Sequence, residues 1–259
     1  MILKDITDCL ESYAPLNLQA SYDNSGLLVG NYSMKINAAV LSLDCTEEVV
    51  DEAIKLGANL IVAHHPIVFT GLKKFNGNSY IERTVIKAIE NKIAIYAIHT
   101  NLDSVSNGVN AKIGDLLGLQ NLKILSENDG VKNTGSGMIG SCSVADEKAF
   151  LQHVKKVFNV PFLKHTPLQN KPVKTVAFCG GSGSFLLQDA IAQKADVFIS
   201  SDFKYHQFFD ADNQIVIVDV GHYEAEICTK ELIYEILREK FATFTLHFSK
   251  IITNPVNYL

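Results

Sequence analysis

Apolar positions in this chain fall into short continuous runs, separated by polar segments with helical spacing. Leu3, Ile6, Leu10 and Tyr13 recur at the spacing of one helix face, and Pro15 stops the pattern. Ala38 to Leu43 reads as a buried strand. Thr46 then offers an N-cap, Glu47 and Glu48 place acids in the first turn, and Gly57 ends the helix. Leu60 to Ala63 is the next apolar run. Strand, helix and strand in this order predict two parallel strands joined by a right-handed crossover. A helix over about Tyr80–Asn91 and a strand over Ile93–Ile98 extend the pattern. Gly108-Val109-Asn110 opens a further helix to Leu117, which Gly118 closes.

Residues 126–140 are rich in Gly, Ser, Asn and Asp, which predicts a lobe boundary. The expectation is a first α/β lobe over 1–125 and a second over 126–259, with the helix and strand beyond about residue 224 packing back on the first. The second lobe reads as strand Met138–Val144, helix Asp146–Phe158, strand Phe162–His165, a linker at Asn170-Lys171-Pro172 and strand Val173–Cys179. A loop from Gly180 to Ser184 leads into a helix ending at Gln193. Strands Ala195–Ile199 and Ile215–Val220, a helix Glu224–Phe241 and an edge strand Phe244–Phe248 complete it. Ala58-Asn59-Leu60-Ile61-Val62 and Ala195-Asp196-Val197-Phe198-Ile199 follow their preceding strands at the same spacing. The pattern suggests an internally duplicated βαβ half and two similar strand edges that face one another across a cleft.

Polar chemistry is concentrated where the buried strands end. Ile61-Val62-Ala63 runs into His64-His65-Pro66, and Pro66 keeps His65 extended, so the pair does not begin a helix. Two adjacent imidazoles at a buried strand's C-terminal edge are hard to explain by packing, and His is the commonest metal ligand. His99 with Asp103, Asp202 with His206, and His222 with Glu226 occupy the ends of other predicted strands. His222 and Glu226 are four apart at the start of a helix and therefore share a face. Taken singly, a turn aspartate or a loop histidine has an ordinary structural explanation; one strand-edge site explains all of them together. Mixed His and carboxylate ligation favours zinc, iron(II) or manganese. Gly180-Gly181-Ser182-Gly183 could present backbone N–H groups to a substrate anion, although it lacks both the Walker ending and the dinucleotide order of glycines. Lys204 and the Lys73-Lys74 pair could add positive charge, or be solvated surface lysines.

The chain of 259 residues is 47% hydrophobic, ample for one large domain or two lobes. A net charge of −5 leaves no basic field and argues against a general nucleic-acid binder. Cys9, Cys45, Cys142, Cys179 and Cys228 are odd in number and have no C-x-x-C spacing, which suits reduced thiols and a cytoplasmic setting. The N-terminus has no basic segment followed by an apolar one, and no apolar run approaches the ~20 residues of a membrane span.

The motifs His64-His65-Pro66, His99-Thr100-Asn101-Leu102-Asp103 and Gly221-His222-Tyr223-Glu224-Ala225-Glu226 resemble those of the Nif-three-like family, whose members often carry the label GTP cyclohydrolase I type 2 homologue. Asp23-Asn24-Ser25-Gly26-Leu27, Cys179-Gly180-Gly181-Ser182-Gly183 and Asp202-Phe203-Lys204-Tyr205-His206 match as well, in the same order along the chain. Tyr22 stands where many members have Trp, and Ala225 where a small hydroxyl residue is frequent; neither is a proposed ligand. The resemblance implies a two-lobed α/β fold with two divalent metal ions per subunit in the cleft between lobes, and a ring-shaped homohexamer. It implies His64, His65, Asp103, His222 and Glu226 as metal ligands, with His99 close by. A carboxylate can bridge where an imidazole cannot, so Asp103 and Glu226 are the bridging candidates, at a metal spacing of about 3.5–4 Å. The implied chemistry is hydrolysis of a nucleotide-like or phosphorylated small molecule, with His99 or His206 as proton shuttle. Gly180, Gly181, Ser182 and Lys204 are the substrate-binding candidates. Two alternatives stand beside it: a non-enzymatic metal-binding ring or partner-binding assembly protein, and a doubly wound nucleotide-binding module whose histidines are incidental.

Overall fold

The computed structural model describes residues 1–128 and 130–257, and the chain divides into two units. One comprises Met1–Leu102 with Thr229–Leu259; the other is Asp103–Cys228. The division lies at residue 102 rather than near 125. The helix Val109–Leu116 packs onto the second unit's sheet, because Gly114 has no side chain to hold it off. A Cβ there would lie 2.7 Å from Leu122 and 2.9 Å from Phe178.

In chain order, α1 (Leu3–Tyr13) buries Leu3, Ile6 and Leu10 on one face, and Asp5 accepts the Ile2 N–H to start it. β1 (Gly26–Val29) and β2 (Ala38–Ser42) precede α2 (Glu47–Leu56), which Thr46 caps through the Val49 N–H and left-handed Gly57 ends. β3 (Leu60–Ala63), α3 (Tyr80–Glu90) and β4 (Ala94–Ala97) follow, then α4 (Thr100–Ser104) and α5 (Val109–Leu116). The second unit continues with β5 (Gln120–Glu127), β6 (Gly135–Val144), α6 (Glu147–Val157), β7 (Lys164–His165), β8 (Val173–Ser182), α7 (Leu187–Ala192), β9 (Val197–Ser201), β10 (Val216–Asp219) and α8 (His222–Glu226). α9 (Thr229–Lys240) and β11 (Thr245–Phe248) return to the first unit.

Three of these assignments correct the sequence expectations. The polar stretch near 126–140 is a hairpin joining β5 to β6, with Glu127 opposite Gly135 and the Asn128 N–H donating to Thr134 O. Its composition reflects turn chemistry inside a sheet, not a linker. β8 runs on to Ser182, so Gly180–Ser182 belong to a strand. The single helix expected over 224–241 is two, α8 and α9; apolar residues continue through Ile227 and Cys228, so periodicity carries no sign of the break.

The first sheet has the order β1-β4-β3-β2-β11, with β1 antiparallel to β4 and the other pairings parallel. Every residue of β2, β3 and β4 is buried, as central strands covered on both faces must be. The second sheet has the order β5-β6-β8-β9-β10-β7, with β8, β9 and β10 parallel and the rest antiparallel. Each sheet thus contains three consecutive parallel strands, with an earlier strand antiparallel beside the last of them. Backbone hydrogen bonds repeat too. Ala58 N donates to Ala53 O as Ala195 N donates to Ala190 O, and Asn59 and Asp196 each accept a backbone N–H at the start of the neighbouring strand.

Candidate metal centre

In the first unit, β3 and β4 deliver three imidazoles to the C-terminal edge of the sheet, where α/β sheets place their ligands. Ring centroids of His64 and His65 are 4.9 Å apart, and each lies 5.2 Å from that of His99. One donor atom of each falls within 4.8 Å of the others. Each ring has its Nδ1 engaged: His64 with Ile98 O at 2.8 Å, His65 with Asp44 Oδ1 at 2.7 Å, and His99 with Asp23 Oδ1 at 2.8 Å. All three acceptors require a proton on Nδ1, which places the lone pair on Nε2 in the neutral ring. An imidazole held through one nitrogen by a carboxylate or carbonyl, with the other left basic, is the usual form of a metal-ligating histidine.

Asp23 does more than initiate a turn. Its side chain is 0% exposed and also accepts from Asn24 N, Ser25 Oγ, Thr100 N and Thr100 Oγ1. Burial opposes its charge, but the His99 and Thr100 hydrogen bonds outweigh it and hold the carboxyl far below the usual range. Asp44 is lowered in the same way, with burial opposed by His65 and by the Thr253 hydroxyl.

In the second unit, His222 is the first residue of α8. Its Nδ1 donates to Asp202 Oδ2 at 2.7 Å, and its Nε2 lies 3.0 Å from Glu226 Oε2. Asp202 reaches it from a left-handed backbone conformation, φ 59°, just past β9. Burial disfavours the His222 cation, yet Asp202 and Glu226 together raise its pKa to about 10. The Glu226 side chain is only 4% exposed, and a carboxylate oxygen of Asp103 lies within 4.8 Å of one of its own. Burial first, and then these two acids, push the Cys179 thiol up out of its normal range.

Gly181 is what makes room for Glu226. Its φ is 58°, and a Cβ there would collide with Glu226 Oε1 and come within 3.3 Å of His222 Cε1. Gly180 N is spent on Asn110 Oδ1, and Gly181 O accepts the Ser200 and Ser201 hydroxyls. Ser182 is exposed at the end of β8. Lys204 is exposed ahead of the 3-10 segment Tyr205–Ala211; its backbone N–H donates to Gln207 Oε1. His206 is exposed on that segment, its ring 5.1 Å from that of Tyr205. Among the described residues it belongs to none of the metal-competent groups, and the partner of Asp202 is His222 instead. Lys73 and Lys74 are exposed.

Sequence reasoning missed the acceptors behind the rings. Asp44 lies two residues past the end of β2, and nothing in its local sequence marks it as the partner of His65. The donor set of imidazoles and carboxylates fits a divalent ion that takes nitrogen and oxygen ligands.

Residues 1–255 match the model of the family described as Duf34/NIF3 (NGG1p interacting factor 3). A protein of Clostridium acetobutylicum named GTP cyclohydrolase 1 type 2 homolog is 34% identical over 227 residues, covering 86% of this chain and 85% of its own. One of the same name from Streptococcus pneumoniae is 31% identical over the whole of both chains. Among solved structures, Staphylococcus aureus protein SA1388 superposes with a TM-score of 0.91 at 26% identity, over 100% of this chain and 99% of that one. A Bacillus cereus protein related to NIF3 does so with 0.89 at 25%, with the same coverage. With its residues 1–255 matched by the family model, the chain belongs to the Duf34/NIF3 family.

Proposed function

We propose that this protein is a dinuclear-metal hydrolase acting on a nucleotide-like or phosphorylated small molecule. His64, His65, Asp103, His222 and Glu226 are its ligands in this reading. The observation that carries it is the uniform preparation of the rings: His64, His65, His99 and His222 each have Nδ1 committed to a carbonyl or carboxylate. Packing alone gives no reason for four histidines at strand ends to share that arrangement. When bound, a pair of divalent ions would supply Lewis acidity and activate water near neutral pH.

The chain's own residues do the rest. Asp103 and Glu226 contribute the negative charge that two cations require. Asp23 fixes the His99 ring so that Nε2 can take a proton from the attacking water and return it to the leaving group. Gly180 N is already bonded to Asn110 Oδ1 and is not available to an anion held near this strand end. The names of the relatives point to GTP, and no residue described above selects guanine.

The deciding experiment is metal content per chain across a size-exclusion peak with its mass by light scattering, followed by a hydrolysis screen over zinc, iron(II) and manganese. The expected result is about two ions per chain, a six-subunit particle and turnover lost in His64→Ala and His222→Ala. Metal bound without turnover under any ion would favour the non-enzymatic metal-binding ring. Less than about half an ion per chain after reloading would remove the metal reading altogether.

A further inference from the structure

We infer that the C-terminal segment 249–257 is a strap that sets the orientation of His65, with Thr253 as a positioning residue acting through Asp44. β11 pairs with β2 in parallel, Phe248 opposite Leu41, so both strands leave the sheet at the same edge. Beyond that edge β2 continues to Asp44 and β11 to the strap. Two fastenings hold the strap. Ser249 Oγ donates to Glu52 Oε2 at 2.5 Å and Lys250 N to Glu52 Oε1 at 2.9 Å, both on α2. Ile251 then packs on the first unit's core while Ile252 is 77% exposed, an extended alternation that turns residues 251 and 253 inward.

Thr253 Oγ1 donates to Asp44 Oδ2 at 2.5 Å, and the His65 Nδ1–H donates to Asp44 Oδ1 at 2.7 Å. Each oxygen of the carboxylate thus has its own donor, and the group cannot rotate without losing one. A hydroxyl far away in the sequence thereby locks the acceptor that locks the ring. His99 is held differently, because all the donors to Asp23 come from residues 24, 25, 99 and 100. The His65 acceptor depends on a segment more than two hundred residues further along the chain.

The inference rests on the metal reading for its consequence and not for its geometry, and the test separates the two. Full-length wild type, Thr253→Val, Thr253→Ser and Asp44→Asn are compared by zinc affinity in chelator competition. The metal-free proteins are compared by two-bond 1H–15N correlation of the His65 ring. Asp44→Asn should weaken zinc binding about 10–100-fold, as expected for a group that orients a ligand. Thr253→Val should weaken it about tenfold, the worth of one hydrogen bond to a charged acceptor. Thr253→Ser should match wild type, and Ser249→Ala, which loosens the strap away from the site, should weaken binding about threefold. In both Asp44→Asn and Thr253→Val the His65 signal should move away from the pure Nδ1–H tautomer. Wild-type affinity together with a wild-type His65 signal in Thr253→Val would overturn the inference, as would a Thr253→Ser loss equal to that of Thr253→Val. If wild type itself bound no zinc, the metal reading would fail, and the His65 signal in Thr253→Val would still decide the strap.

Discussion

In the first sheet the middle parallel strand, β3, ends in His64 and His65; in the second, β9 ends in Ser201 and Asp202. His65 and Asp202 stand at the same distance along the chain from Ala58 and Ala195, whose backbone hydrogen bonds match. The next strands exit alike, β4 through His99 into α4 and β10 through Gly221 and His222 into α8. One half therefore uses its middle strand end to present His64 and His65, whose Nδ1 acceptors are Ile98 O and Asp44 Oδ1, and the end of β4 to present His99 to Asp23. The other uses the equivalent position as the acceptor for a single imidazole. The same scaffold position carries an imidazole in one copy and the carboxylate that holds an imidazole in the other, so topology fixes where the chemistry sits but not which role it takes.

The largest effect expected from breaking this division of labour is at Gly181. Gly181→Ala forces a side chain into left-handed backbone, which costs about 1–2 kcal/mol, and it displaces the Glu226 carboxylate besides. Thermal unfolding and elemental analysis should show a destabilised protein with less bound metal than wild type. Retention of full metal content would mean that Glu226 is not a ligand.

Next in size are the acceptors. Asp23→Asn and Asp202→Asn should each lower metal affinity about 10–100-fold, measured by chelator competition. Asp202→Asn alone leaving affinity untouched would make the second half's His222 merely ion-paired.

Titration of the metal-free protein should then separate the halves. His222 is raised from 6.5 to about 10, so the stability it contributes is complete below 6.5 and lost as pH rises through about 10. Asp23 is lowered from 3.8, so its contribution is complete above that value and lost as pH falls through its folded pKa. Melting temperature against pH should lose its alkaline slope in His222→Gln and keep its acid limb; loss of both limbs would contradict the assignment. The smallest effect belongs to His206→Ala, exposed and apart from the clusters, with stability expected within about 0.5 kcal/mol of wild type. An unchanged metal count and a loss of turnover there would return His206 to the proton-shuttle role.

Most of the first sheet could be read directly from the sequence because β2, β3 and β4 are short unbroken apolar runs, punctuated by Thr46, Gly57 and the His pair. The histidines could be read because a polar doublet interrupts such a run. The pairing of β5 with β6 could not, since turn residues within a sheet and residues of a linker have the same composition. Nor could Asp44 or Thr253. Their importance lies in a pairing across more than two hundred residues, and a lone Asp or Thr after a strand carries no local sign of its partner. Gly181 was visible as part of a glycine run, but its neighbour Glu226 is supplied by the fold alone.

The second unit enters the chain as one piece, Asp103–Cys228, beginning within α4 and ending just before α9. Its first residue and the third from its end, Asp103 and Glu226, carry the two candidate bridging carboxylates, close enough in space for the piece to begin and end at nearly one point. A gene joining Leu102 directly to Thr229 would therefore remove both acids in a single cut and leave His64, His65 and His99 in the remaining fragment. The splice points of the polypeptide coincide with the division between its nitrogen-rich and oxygen-rich donors. Cutting the polypeptide at those two points would part the two carboxylates from three of the imidazoles.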